Sequence, residues 1–457
     1  MPDETRVLVV GAGPTGLGAA WRLNELGHRH WTVCEANSEP GGLASSVVDD
    51  EGFTWDLGGH VLFSHYRTFD ALMDTALGDR WVEHVREAWV WMRERWIPYP
   101  FQNNLWRLPP DDLARCLDGL VELDRRGPGD APKSFRDWLL GSFGRGLCET
   151  FMFPYNEKVW AYDPADLDVG WMGERVASVD LERVMRNVEQ RRDDVAWGPN
   201  ATFRFPLEGG TGAIWKAVYE RLPAERFRMG RMLTRCEVDR KVAHFSDGSS
   251  EPYDAMISTV PLDRLLRTLA DRPALAAQAD RFVHSSSHIV GVGLSGRPPA
   301  ALETKCWMYF PEASSPFYRV TVFSNYSPHN VPDPSCQWSL MAEVSESPAK
   351  PVDAGRVADD VVAALRRCGL VEAGHRVQSL WHRRLEYGYP TPWLGRDATL
   401  APIDAELARA GILSRGRFGA WKYEVSNQDH SLMQGIEAVD RILQGTPERT
   451  IHGDMGD

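Results

Sequence analysis

A chain of 457 residues, 43% apolar and 25% charged, can fill two or three packed domains or one discontinuous domain with insertions, and its composition excludes a mainly disordered protein. A formal net charge of −13 opposes binding to nucleic acid or anionic membranes, so an anionic ligand would need a local group of arginines. The seven scattered cysteines contain no C-x-x-C pair, and the charged start Met1–Arg6 is not a long apolar run, so disulfide framework, zinc site, signal peptide and membrane span are not expected and a cytoplasmic location is.

From the N-terminus, Arg6–Val10 is a short β-branched run of the kind that forms a buried parallel strand. Gly11-Ala12-Gly13-Pro14-Thr15-Gly16 follows, then a helical stretch over Leu17–Leu23, and Trp31–Cys34 predicts a second strand leading into Glu35. Glu35 lies 24 positions after Gly11, near the spacing at which an acid meets a ribose hydroxyl. Gly11, Gly13 and Gly16 divide three tasks: a tight turn, close approach of backbone to a pyrophosphate, and close packing of helix on strand. The helix N-terminus adds free N–H groups for the phosphates. This ordered set predicts a dinucleotide site. Pro40-Gly41-Gly42-Leu43-Ala44 then places two more glycines where the pyrophosphate of an extended FAD passes, which favours FAD over NAD.

Further along, Met152, Asn156 and Trp160 recur every four residues and share a helical face. That face reads either as a core stripe or, because a buried amide needs partners, as a pocket wall. Arg175 lies beside Glu174, and Arg319 lies in the strand-like run Phe317–Phe323. Each arginine reads either as a structural ion pair or as a bidentate grip on phosphate that lysine could not match. Trp307 and Tyr309, two apart in another strand-like run, share a face, and Tyr423 and Asn427 are four apart. The 18 tryptophans admit two explanations, large cores or a flat-walled pocket for planar ligands. The 13 histidines show no metal-ligand spacing, so no metal is expected.

Nine runs carry a resemblance: Gly52–Tyr66 (GFTWDLGGHVLFSHY), Trp96–Asn104 (WIPYPFQNN), Pro154–Ala161 (PYNEKVWA), Trp197–Pro206 (WGPNATFRFP), Lys305–Phe310 (KCWMYF), Pro316–Arg319 (PFYR), Tyr387–Pro392 (YGYPTP), Ser414–Gly419 (SRGRFG) and Asn427–Ser431 (NQDHS). In this order, over almost the whole chain, they resemble the eukaryotic-type UDP-galactopyranose mutases. The resemblance implies a redox-neutral isomerisation of a nucleotide-linked hexopyranose to its furanose, in which N5 of reduced FAD attacks the anomeric carbon and forms a covalent sugar adduct. It also implies NAD(P)H as reductant and a nucleoside-diphosphate sugar as partner. A homo-oligomer is compatible with it.

Residue by residue, the resemblance places Arg175 and Arg319 on the pyrophosphate. Tyr99, Phe101 and Gln102 fall around the nucleobase, and Met152, Asn156 and Trp160 on the sugar. Asn200, Trp307, Tyr309, Tyr326, Tyr389, Tyr423 and Asn427 fall elsewhere in the substrate site. It places Gly58, Gly59, His60, Arg417 and Gln428, with Gly41, Gly42 and Leu43, on the cofactor, His60 tuning the flavin. His65, Arg86 and Arg417 match positions that admit NADPH. Ala88, Glu208 and Lys422 depart from the fungal members, which carry Ser, Arg and Arg there.

The implied fold is α/β, a GR2-type flavoprotein with a Rossmann-like FAD domain (1–83, 202–285 and 376–457), a helical-bundle insertion (110–200) and a mainly antiparallel sheet domain (84–109 and 286–375). Uridine is favoured by resemblance alone. A mutase acting on a GDP-hexose, an amine-oxidase-like FAD oxidoreductase and a flavin-free binding protein on the same fold are the competing readings.

Overall fold

The computed structural model describes residues 4–127, 129–172, 179–195 and 201–454. The apolar run Val7–Val10 is buried on both faces and sits at the centre of a five-stranded, wholly parallel sheet. Its order is Ile412–Ser414, Ala255–Ser258, Val7–Val10, Trp31–Cys34 and Phe227–Arg228, so the strands come from three distant stretches of chain. Helices Pro14–Glu25 and Gln428–Gln444 cross on one side of this sheet. Their crossing is tight because a Cβ on Gly18 would lie 2.4 Å from the Leu432 carbonyl oxygen, and one on Gly435 2.0 Å from that of Thr15.

The second sheet has seven strands, in the order Val377–Pro390, His284–Ser295, Gln337–Glu346, Arg319–Val322, Trp307–Tyr309, Ala88–Met92 and Arg95–Pro98. All neighbours are antiparallel except Trp307–Tyr309 against Ala88–Met92. It takes in Val377–Pro390, which the sequence reading grouped with the FAD domain. The strand-like run through Phe323 also ends sooner than expected, at Val322, where the chain turns into the short helix Phe323–Tyr326.

Alternation along these strands separates two surfaces. Val290, Met308, Val320 and Ala342 point to a core closed by the helix Val357–Arg367. Ile289, Trp307, Tyr309 and Met341 point the other way, into a second core shared with the helices of 110–190. The hairpin of Ser46–Val48 and Thr54–Asp56 reaches this second surface. Gly291 and Gly293 leave room for it: a Cβ there would lie 2.5 Å from the Trp55 ring and 2.7 Å from Phe53. Trp55 stacks between Phe323 and Trp381, and its indole N–H donates to Asp49 at 2.7 Å. The hairpin thereby delivers the next residues, Gly58–His60, onto the sheet.

Among the described residues the insertion is filled by Pro110–Arg126, Phe135–Leu147, the π-turn Cys148–Met152, Phe153–Trp160, the single turn Pro164–Asp166 and Leu181–Gln190. All seven cysteines are free thiols. Among the described residues no helix is long and apolar enough to cross a membrane.

Candidate active site

The first half of the site is backbone. Gly11 adopts φ +107°, a region that side-chain-bearing residues rarely enter, and donates its N–H to the Cys34 carbonyl at 2.7 Å. Gly16 sits so close beneath it that a Cβ would lie 1.8 Å from the Gly11 carbonyl oxygen. Gly13 precedes the helix and Pro14 opens it, which leaves the first-turn N–H groups pointing out. Glu35 closes the turn: one carboxylate oxygen accepts the Ala12 N–H at 2.6 Å and the other accepts from Asn37. Gly41 donates to the Ala12 carbonyl at 2.8 Å, and a Cβ on Gly42 would lie 3.3 Å from Gly13 Cα. Two glycine-lined segments thus face each other at a helix N-terminus, a groove that fits the pyrophosphate of a dinucleotide. Leu43 packs against the core beside it.

The second half is side chains on the seven-stranded sheet. Arg319 stands directly across from Tyr309 on one neighbouring strand and Glu343 on the other. Its Nε and Nη2 donate to the two oxygens of Glu343 at 2.6 and 2.8 Å. Tyr318 donates its hydroxyl to Glu343 at 2.8 Å and lies 3.3 Å from the Tyr389 hydroxyl. Burial would raise the Glu343 carboxyl, but the Arg319 charge and its hydrogen bonds hold it below the usual range. Burial opposes the charge of Arg319 in turn, and Glu343 more than restores it. The pair is therefore ionised. Arg319 opens into a small cleft that Gly59, Val61, Trp307, Thr321 and Tyr326 also line.

Aromatic rings build the walls. Tyr309 takes an indole hydrogen bond from Trp307 at 2.6 Å and meets the rings of Tyr99 at 5.1 Å and Tyr155 at 5.3 Å. Trp160 presents edges to Tyr423 at 5.0 Å and Tyr389 at 5.8 Å. Asn156 donates to the Met152 carbonyl at 2.8 Å, so the four-residue stripe does come together beside these rings, across the junction of π-turn and helix. Burial pushes the Tyr99, Tyr155, Tyr318 and Tyr389 hydroxyls up, so they stay protonated and can donate hydrogen bonds. Phe101 is fully buried and stacks on Phe151 at 4.2 Å, which puts it behind the wall rather than on its surface. Gln102 is almost as deeply buried.

Between the two halves lies Gly58-Gly59-His60. The His60 Nδ1 is buried with no hydrogen-bond partner among the described residues, and burial pushes the ring down to about 4, so it is neutral. An orphaned imidazole nitrogen beside a glycine groove fits a bound flavin that supplies the missing partner. Arg417 donates to the Gly388 carbonyl and to Ser426, and lies over the Tyr389 ring at 5.0 Å. Asn427 and Gln428 open the last long helix, and Gln428 accepts the Trp215 indole N–H at 2.7 Å. Arg86 lies over the Trp307 ring at 4.8 Å. Arg175 and Asn200 lie outside the described residues.

Residue-type reasoning missed three groups. Glu343 and Tyr318 complete the Arg319 cluster. Lys158, buried on the same helix as Asn156, donates to the carbonyls of Phe310, Glu312 and Ser315, and burial with Lys350 nearby pushes its pKa down to about 7. The Lys158 ammonium thus ties the helical wall to the loop joining Tyr309 to Arg319. The one signal in the sequence for Glu343 is an acid inside the otherwise apolar stretch Leu340–Val344. His65, Asp429 and His430 also converge, Asp429 accepting from His65 at 2.7 Å, a grouping that linear histidine spacing does not show.

The model of the flavin containing amine oxidoreductase family matches residues 14–443. A crystal structure of reduced UDP-galactopyranose mutase is 50% identical, covers 98% of both chains and superposes with a TM-score of 0.96. A putative protoporphyrinogen oxidase from Exiguobacterium sp. 255-15 is 18% identical with a TM-score of 0.72, covering 97% of this chain and 99% of its own. A fatty acid isomerase from P. acnes is 15% identical with a TM-score of 0.63, covering 96% and 99%. The last two share the fold alone.

Proposed function

Since the chain belongs to the flavin containing amine oxidoreductase family and, within it, to the UDP-galactopyranose mutases, we propose that it interconverts the pyranose and furanose forms of a nucleotide-linked hexose, UDP-galactose being the substrate. The observation that carries this reading is 50% identity across 98% of both chains. The enzyme is an isomerase and a flavoprotein. Bound FAD in its reduced form would supply the nucleophile for the anomeric carbon.

The chain's own residues bind, orient and exclude water. Arg319, with Arg175 from outside the described residues, grips the diphosphate, so that the nucleotide stays close while the sugar is detached from it. The hydroxyls of Tyr309 and Tyr389 donate to the same oxygens, while that of Tyr318 is given to Glu343. Met152, Asn156 and Trp160 hold the hexose against the aromatic wall, and Tyr99 faces the base with Phe101 and Gln102 packed behind it. Asn200, Tyr326, Tyr423 and Asn427 complete the pocket. Neutral His60 holds a hydrogen bond to the flavin. Gly11, Gly13, Gly16, Glu35, Gly41, Gly42, Gly58, Gly59, Arg417 and Gln428 hold the cofactor.

We infer further that the chain is of the eukaryotic type, on the strength of its nine motifs, and that NAD(P)H reduces it near His65, Arg86 and Arg417. A cytoplasmic location suits seven free thiols. The division into FAD, helical and sheet domains is proposed as before, with Val377–Pro390 moved to the sheet.

The test is incubation of dithionite-reduced protein with UDP-galactofuranose, products being separated by chromatography. Conversion to UDP-galactopyranose, over many turnovers per flavin and ending on reoxidation, is expected. Consumption of one reductant per product, or turnover of a GDP-hexose but not of UDP-galactofuranose, would contradict the reading.

A further inference from the structure

Glu343 joins the side-chain half of the site to the Gly58–His60 loop that lies between the halves. Its Oε1 accepts the Arg319 Nε–H at 2.6 Å and the Gly59 N–H at 3.2 Å. Its Oε2 accepts the Arg319 Nη2–H and the Tyr318 hydroxyl, both at 2.8 Å. Four donors fill the lone pairs of a carboxylate that is 3% exposed, which only the anion can satisfy. The contact with the loop is also steric. A Cβ on Gly59 would lie 2.8 Å from Glu343 Oε1 and 3.0 Å from Arg319 Nη2.

The arginine meets Glu343 with one edge only, through Nε and Nη2. Among the described residues Nη1 has no hydrogen-bond partner, so the second edge is left for a ligand. An anion drawn to that edge competes with Glu343 for the same guanidinium. Any shift of the arginine is then passed through a single carboxylate to the Gly59 amide, one residue before His60. We infer that Glu343 is a positioning residue that couples the anion grip of Arg319 to the Gly58–His60 loop, so that occupancy of the nucleotide site and the redox state of the flavin influence each other. This rests on the reading of Arg319 as a diphosphate ligand. Coupling of this kind is reciprocal: the factor by which reduction changes nucleotide affinity equals the factor by which nucleotide shifts reduction.

The experiment measures the midpoint potential of the FAD-loaded protein with and without saturating UDP, with UDP affinity followed separately by calorimetry. In the wild type UDP is expected to shift the potential by an amount equal to at least tenfold in affinity, ~30 mV for a two-electron couple. In Glu343→Gln, whose amide keeps the shape but cannot accept four donors, the shift falls below about threefold. Gly59→Ala, which wedges the loop off the ion pair, does the same, while Tyr318→Phe leaves the shift in place because the arginine–carboxylate–amide chain survives. A wholly structural role for Glu343 would lower flavin content or thermal stability and leave the shift intact in the flavin-loaded fraction. A wild-type-sized shift in Glu343→Gln, or no shift in the wild type, overturns the inference. Should Glu343→Gln not hold flavin, Gly59→Ala decides alone, and a full shift there overturns it. Absence of UDP binding to the wild type would overturn the diphosphate reading itself, an outcome separate from a lost coupling.

Discussion

Around Gly11–Gly16 and Gly41–Gly42 the groove is lined by main chain, and its polar atoms are amides fixed by the turn and the helix start. On the seven-stranded sheet the polar atoms belong to side chains: Tyr318 and Arg319 at the start of one strand, Glu343 and Tyr389 on two others, each held by its neighbours. The two regions therefore fail differently. A backbone groove tolerates many changes of side chain nearby but no added Cβ at its closest approaches. A buried cluster of charges depends on every partner, because losing one leaves another desolvated and unpaired.

The largest effect separating the two should come from Gly16→Val. Its Cβ would start 1.8 Å from a backbone oxygen that cannot move without opening the Gly11 turn. We expect no flavin absorbance in the purified protein and a loss of several kcal/mol, at or beyond the usual ~1–3 kcal/mol of overpacking. Flavin content by absorbance and unfolding by denaturant would measure it. A flavin-loaded Gly16→Val protein would show that the groove is more pliant than its geometry.

The same contrast explains what could be read in the sequence. Gly11, Gly13, Gly16 and Glu35 act within one strand–turn–helix–strand unit, so their spacing alone places them, and the strand Trp31–Cys34 forms as expected. Arg319 was visible as a residue type, but its partner was not. Glu343 is set opposite it by the register of two strands, and register depends on the whole sheet. The place of Val377–Pro390 in the sheet was hidden for the same reason: among the described residues its strand partner is His284–Ser295, far away in sequence. The helical stripe Met152–Asn156–Trp160 was legible as a pattern, whereas the burial of Phe101 behind Tyr99 depends on Phe151 packing across the insertion. The convergence of His65 with Asp429 joins residues 364 apart in the chain.

A smaller effect sharpens the comparison at the loop joining the two regions. His60 has its pKa pushed down to about 4 from an ordinary 6.5 by burial. The unfolded chain then binds the extra proton first, so the contribution of His60 to stability is complete above about pH 6.5 and is lost as pH falls from there toward 4. Allowing for a ring that is only half-buried, the loss is on the order of 1–2 kcal/mol. Unfolding curves of wild type and His60→Ala between pH 4 and 7 would check it. The gap between them should narrow or reverse on the acid side, and a constant gap would place the His60 ring in water.

The central claim is that the free edge of Arg319 grips a nucleoside diphosphate, and calorimetric titration of the FAD-loaded protein with UDP tests it most directly. With wild type and Arg319→Ala side by side, and flavin content matched, the account predicts at least a tenfold weaker affinity in the variant, ~1.4 kcal/mol or more. Equal affinity in the two proteins would contradict it.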